Sequence, residues 1–362
     1  MSEKLNLCAG EWVEVRSKDE ILRTLDKDGR LEGLPFMPEM FAFAGRRLRV
    51  AKRAHKTCDT VFPIRGRRMA DAVHLETRCN GQAHGGCEAG CLIFWKEAWL
   101  KRISDGPAGA DKPISEPGTC TEEDVNRATR VSGDKNEADP TYVCQATQLP
   151  YFTTELSPWE MSQYIEDYKS GNVGLGTIAR GFIYMAYNTF ANMKTGIGLG
   201  RFLRWLYDVT AGLRRGLPYP RHVGPIPVGV RTPAEDLQLQ PGELVRVKSY
   251  EQILATCDQT CGNRGMKFDA EMVPYCGGTY RVHKRVTHII NEKNGKMLPM
   301  KTPCIILEGV ICEGRYSECR LFCPRAIYPY WREIWLERIP VQQAGSLNSG
   351  SEARSDASLQ RA

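Results

Sequence analysis

Apolar and charged side chains alternate at short range near the start of the chain. In GEWVEVRS, Trp12, Val13 and Val15 mix with charged neighbours, and in RRLRVAKR, Leu48 and Val50 point one way while the basic side chains point the other. This spacing predicts short strands with one wet face. Between them, SKDEILRTL predicts a turn or two of helix, with Ser17 as N-cap and Glu20 closing a capping box. The whole pattern then returns. Residues 10–53 align without a gap, at a shift of 232, onto residues 242–285, and FWKEAWLKRI at 94–103 is matched by YWREIWLERI at 330–339. Short strands joined by glycine-containing turns predict an α+β chain of two duplicated small antiparallel β modules of SH3-like barrel type, with a helical middle domain.

The middle of the chain has a different rhythm. Residues 104–140 are rich in Gly, Pro, Ser and charge and carry few large apolar side chains, which predicts a flexible linker with a short helix after Thr121. In SPWEMSQYIEDYKSGN, Ser157 reads as N-cap, Pro158 as the first helical residue, Glu160 as the capping-box partner and Gly171 as the stop. Two further helices are expected over GTIARGFIYMAYNTFANM and GRFLRWLYDVTAGLRRG. The expected domains are a cysteine-rich β module over 1–103, a linker over 104–148, a basic helical domain over 149–225, a second β module over 226–340 and a disordered tail over 341–362.

Composition sharpens this picture at the cysteines. The chain has 362 residues and 14 cysteines. Its first residues, MSEKLNLCAGEWVEV, lack the basic start and apolar run of an export signal, so a cytoplasmic protein is expected, where thiols stay reduced. Metal binding therefore gains over disulfides. In the first copy, Cys79, His84, Cys87 and Cys91 sit in CNGQAHGGCEAGC, with Cys58 upstream. In the second, Cys304, Cys312, Cys319 and Cys323 form one run, and Cys87 and Cys91 map onto Cys319 and Cys323 at the same shift of 232.

Thiolates on a turn and on a neighbouring strand can surround a tetrahedral ion, so these nine residues are the candidate metal ligands. The fourth ligand of each site is the weakest assignment, since Cys58 and Cys304 do not occupy equivalent positions. Zn2+ suits the mixed donor set, and an iron–sulfur cluster is the alternative, although the spacing matches no standard cluster motif. The plainest competing reading is packed free thiols in a small-residue turn. Cys120 and Cys144 stand alone and read as packed or exposed thiols. Glu39 and Glu271 recur at equivalent places, which points to a structural role in a turn.

The net charge of +6 is concentrated in one stretch. Residues 172–221 hold Arg180, Lys194, Arg201, Arg204, Arg214, Arg215 and Arg221 against Asp208 alone, interleaved with aromatics. That segment fits an acidic protein partner or an anionic surface, including peripheral membrane contact, and nucleic acid is a further candidate. It is too interrupted to span a bilayer. Phosphate-binding loops, nucleophile elbows and zinc-protease helices are absent from the sequence. The reading is therefore a metal-binding accessory or interaction protein, with a metal-dependent or iron–sulfur redox enzyme as the alternative and a nucleic-acid binder as the second.

The stretches GEWVEVRS, LPFMPEM and AHKTCD, with YRVHKR and YPYWREIWLERI, resemble an uncharacterised group of bacterial proteins with the same two-copy, cysteine-rich layout. The resemblance implies the two-copy architecture and carries no mechanism.

Overall fold

The alternation of the first strand is realised side chain by side chain. Val13 and Val15 are fully buried while Trp12 is exposed, so the strand turns one apolar edge to a core. The computed structural model describes residues 4–61, 63–103, 120–131, 138–192, 199–213, 216–317 and 319–340. The expected tail lies outside these residues, as do 104–119 and 132–137 of the expected linker. The chain divides into two units. One comprises Met1–Gly174, His288–Pro299 and Phe322–Ile327, and the other Leu175–Thr287, Met300–Leu321 and Tyr328–Ala362. The class is mixed α+β, with mostly antiparallel sheets.

The first unit is built on strands β1 (Trp12–Val15), β2 (Arg47–Arg53), β3 (Ala72–Arg78), β4 (Leu92–Lys96) and β5 (Leu100–Arg102), in the order β4-β3-β2-β1-β5. All their pairings are antiparallel, and the β2–β3 register slips between Val50 and Lys52, where an extra residue bends the strand. A three-stranded sheet joins Lys56–Asp59, Arg65–Arg68 and Thr154–Leu156. The core gathers Val13, Ile21, Met40, Trp95, Trp99 and their neighbours.

The second unit's main sheet contains β6 (Leu244–Val247), β7 (Thr279–Ile290), β8 (Met297–Leu307) and β9 (Leu336–Arg338), in the order β8-β7-β6-β9. Residues 288–290 of β7 and 297–299 of β8, with the turn between them, belong to the first unit. Pairings repeat between the two sheets. Trp12↔Arg49, Val13↔Leu48 and Glu14↔Arg47 become Leu244↔Arg281, Val245↔Tyr280 and Arg246↔Thr279, every number raised by 232.

Several expectations change. The helix expected from Ser157 begins at Ser162 and ends at Lys169. Glu160 N donates to Ser157 O and Trp159 N to Ser157 Oγ, a local turn that competes with an N-cap at this position. Residues 149–174 group with the first unit and those from Leu175 with the second. Within the expected linker, a helix over Glu122–Arg127 capped by Thr121 places Val125 and Cys120 in the first core, and Tyr142 and Val143 are buried. Helices over Leu175–Asn192 and Leu199–Leu213 occur where the pattern predicts them. Among the described residues no helix is long and apolar enough to cross a membrane.

Candidate metal centre

The loop between β3 and β4 is closed before any cysteine chemistry is considered. Cys79 N donates to Cys91 O at 2.9 Å, and within the loop His84 N and Gly86 N both donate to Gly81 O at 2.9 Å. Gly81 has φ of +72°, and a Cβ there would sit 2.0 Å from the Cys87 carbonyl oxygen. Only glycine fits this turn. Gly85 is equally constrained, because a Cβ would meet the Tyr142 hydroxyl oxygen at 2.2 Å.

Tyr142 begins the second piece of the site. Gln145 is buried and holds this segment against the sheet edge, accepting from Phe94 N at 2.9 Å and donating to Phe94 O and Pro35 O at 3.0 and 3.1 Å. Its neighbour Cys144 is thereby brought beside the loop. Cys79, Cys87, Cys91 and Cys144 line one cavity of about 30 Å³, with Met37, Leu92 and Ile290 in its wall. A void of that size has room for about one water.

Hydrogen-bond donors converge on the sulfurs. Ile290 N, on the β7 end that belongs to this unit, donates to Cys87 Sγ at 3.3 Å. The Gly81 amide points at Cys79, and the Ala146 and Thr147 amides with the Thr147 hydroxyl point at Cys144. Such donors favour thiolates. Burial nevertheless dominates. It pushes the Cys79 thiol far up, Cys91 up to about 12 and Cys144 up to about 11, and the cysteines raise one another further. Arg325, fully buried and bonded to Glu292 at 2.8 Å, offsets part of this at Cys91. As bare thiols, these groups are poor nucleophiles at neutral pH. A bound cation reverses that balance by holding them deprotonated.

His84 lies at the edge of the cavity, but both of its ring nitrogens are engaged. Nδ1 faces Glu39 Oε1 at 2.8 Å and Nε2 faces Val143 O at 3.1 Å. A carbonyl oxygen only accepts, so Nε2 donates and offers no lone pair to an ion. Burial opposes the Glu39 charge, yet the His84 hydrogen bond and charge outweigh it and hold the carboxyl below its ordinary range. Cys79 Sγ lies 3.7 Å from the same oxygen, making Glu39, Cys79 and His84 a compact trio.

The remaining candidates fall elsewhere. Cys58 is buried but is not among the cavity-lining residues, and Arg325 donates to its carbonyl at 3.0 Å. Cys304 is buried in the second unit, 3.3 Å from Arg332 Nη1, and burial pushes its thiol up to about 11. Cys312 and Cys319 are half-buried in the second unit, whereas Cys323 is buried in Phe322–Ile327 of the first, so the second run of four is divided. Cys144 is the fourth cysteine lining the cavity. No local spacing announces it, since it stands 53 residues beyond Cys91; its available signal is an apolar TYVCQATQL stretch within a polar region. Comparison with known proteins finds no matching family model, no matching curated protein and no matching solved structure.

Proposed function

We propose that this chain is a metal-binding accessory protein whose first unit is organised around a metal held by the thiolates of Cys79, Cys87, Cys91 and Cys144. The supporting observation is their convergence on one small apolar-walled cavity, with backbone amides directed at three of the four sulfurs. Four thiolates suit zinc and iron–sulfur chemistry alike. A complete set of protein ligands leaves no open position for substrate, which favours a structural or electron-holding role over hydrolysis. The two sheets are read as copies of one duplicated SH3-like module, on the strength of their registers.

The partner surface is assigned to the helices Leu175–Asn192 and Leu199–Leu213. On the second of these, Phe202, Trp205, Leu206, Val209 and Leu213 follow helical spacing and are all exposed, with Arg201 beside them. An aromatic-rich face next to arginine fits an anionic surface.

Thiol accessibility tests the centre. A thiol reagent applied to the native protein is expected to spare Cys79, Cys87, Cys91 and Cys144, and removal of metal by a strong chelator is expected to expose all four together, as read by mass spectrometry. Equal labelling of these four before and after chelation refutes the metal reading.

A further inference from the structure

We infer that the helices Leu175–Asn192 and Leu199–Leu213 lie on an anionic lipid bilayer; this rests on the reading of these helices as the partner surface. The second helix is amphipathic inside out. Its polar residues turn to the protein: Asp208 Oδ2 meets His222 Nε2 at 2.8 Å, Asp208 Oδ1 accepts from Tyr219 N at 2.7 Å, and Arg204 Nη2 donates to Ala191 O at 3.2 Å. Its apolar residues turn to water. Phe202, Trp205, Val209 and Leu213 recur at three- and four-residue spacing, with Trp205 58% and Leu213 81% exposed, and no residue of this helix is buried. The first helix repeats the inversion. Asn188 is fully buried and accepts from the Tyr219 hydroxyl at 2.6 Å, while Ile183 and Phe190, seven residues apart, are 70% and 57% exposed. A helix of a globular protein keeps such a stripe for its core. The two helices are neighbours, with the Tyr187 and Tyr207 rings 5.5 Å apart, and together they expose apolar surface of the kind that marks an interaction site.

Charge selects the occupant. The two helices contain one acidic residue, Asp208, which His222 and Tyr219 engage on the protein side. Arg180 and Arg201 are exposed and stand at helical spacing from Ile183 and Trp205. An outward face with arginines beside apolar side chains complements anionic headgroups over acyl chains. The same face repels a second copy of itself. Exposed Trp205 and Phe202 suit the boundary between headgroups and hydrocarbon. At 15 residues and about 1.5 Å per residue, the second helix is shorter than a hydrocarbon core of about 30 Å, so it lies along the bilayer rather than through it.

The deciding experiment is hydrogen–deuterium exchange, with co-sedimentation, of the full chain against three probes: vesicles of phosphatidylcholine with phosphatidylserine, vesicles of phosphatidylcholine alone, and polyglutamate. The expected result is co-sedimentation with the phosphatidylserine vesicles and not the neutral ones, weakened by added salt, with protection of peptides covering Leu199–Leu213. Trp205→Ala and Arg201→Glu change exposed side chains and are each expected to lose at least about tenfold in vesicle affinity. Protection by polyglutamate and by no vesicle overturns the lipid assignment and leaves the anionic partner surface standing. Protection that rises with protein concentration alone identifies a second copy as the occupant and overturns the lipid assignment. Protection by none of the probes overturns both readings, as does equal binding to both kinds of vesicle or vesicle binding that the two variants leave unchanged. If a variant fails to fold, the phosphatidylserine dependence and the protected peptides of the unaltered chain still decide.

Discussion

Glu39 of the first unit and Glu271 of the second stand at the same place in the repeated pattern, each in a short 3-10 segment before a long strand. Their surroundings differ. Glu39 bonds the ring of His84 and reaches the Cys79 sulfur, whereas Glu271 accepts from Arg315 N at 3.0 Å, Tyr316 N at 2.5 Å and Ser317 Oγ at 3.2 Å. The two carboxyls shift in opposite directions. Burial pushes Glu271 up despite its amide donors, while His84 outweighs burial at Glu39 and holds it down. Elsewhere the units keep the same contacts: Trp99 donates to Thr24 Oγ1 and Trp335 to Thr256 Oγ1, both in the side chain and at a shift of 232 in the acceptor. Two sheets with matching registers thus accompany different local chemistry at the aligned carboxyls, because the partners of Glu39 and Glu271 come from segments that differ, His84 for one and residues 315–317 for the other.

The largest expected effect separates the loops. On the proposed metal reading, Cys144→Ser is expected to abolish metal binding and with it most of the first unit's cooperative unfolding, since ligation of a structural metal is worth on the order of 10 kcal/mol. Cys276→Ser, at a half-buried thiol of the second unit, is expected to cost about 1 kcal/mol or less. Metal content and urea denaturation of both variants check this. Equal losses would mean that the cavity cysteines have no special role.

A smaller effect tests the scaffold. Glu97 accepts from Asn6 N, Leu7 N and Arg53, at 3.0, 2.9 and 2.9 Å, and Glu333 accepts from Leu237 N, Gln238 N, Leu239 N and Arg285. Both carboxylates are buried. Removing one partner of a buried charge pair costs about 3–5 kcal/mol, so Glu97→Gln and Glu333→Gln are each expected to destabilise by that order. A cost confined to one of the two, measured by denaturation, would break the equivalence of the units.

These contrasts also explain what was legible. The strands, the Ser17 cap and the closing WKEAWL and WREIWL segments are local patterns, and local bonds realise them. Helix capping at Ser157 was misleading because the same side chain satisfies a turn equally well. Cys79, Cys87 and Cys91 were readable from their glycine-rich spacing, whereas Cys144 depends on Gln145 bonding to Phe94 and Pro35, contacts of 51 and 110 residues' separation that no local spacing encodes. The role of Glu39 was hidden for the same reason, since its partner His84 is 45 residues away.

The smallest effect concerns the helix cap at the start of each repeat. Glu20 accepts from Ser17 N and Ser17 Oγ at 2.9 Å and from Lys101 at 2.9 Å; its counterpart Gln252 accepts from Ser249 N at 2.8 Å. Burial raises the Glu20 pKa, but the Lys101 and Ser17 bonds outweigh it and lower the value from 4.5 to about 2. A depressed folded-state pKa means that this contribution is present above the unfolded value and is lost as pH falls from about 4.5 to about 2. Gln252 carries no such charge. A cap of this kind is worth about 1 kcal/mol, and the partly exposed site keeps the ionic share below that. Glu20→Gln is therefore expected to lower stability by less than about 1 kcal/mol at pH 7 and to converge with the unaltered chain near pH 2. Gln252→Glu is expected to install a similar pH dependence in the second unit only if a cation reaches it as Lys101 reaches Glu20. Thermal unfolding followed from pH 7 to pH 2 distinguishes these cases, and a constant offset between Glu20→Gln and the unaltered chain across that range would show that the cap acts through its neutral hydrogen bonds alone.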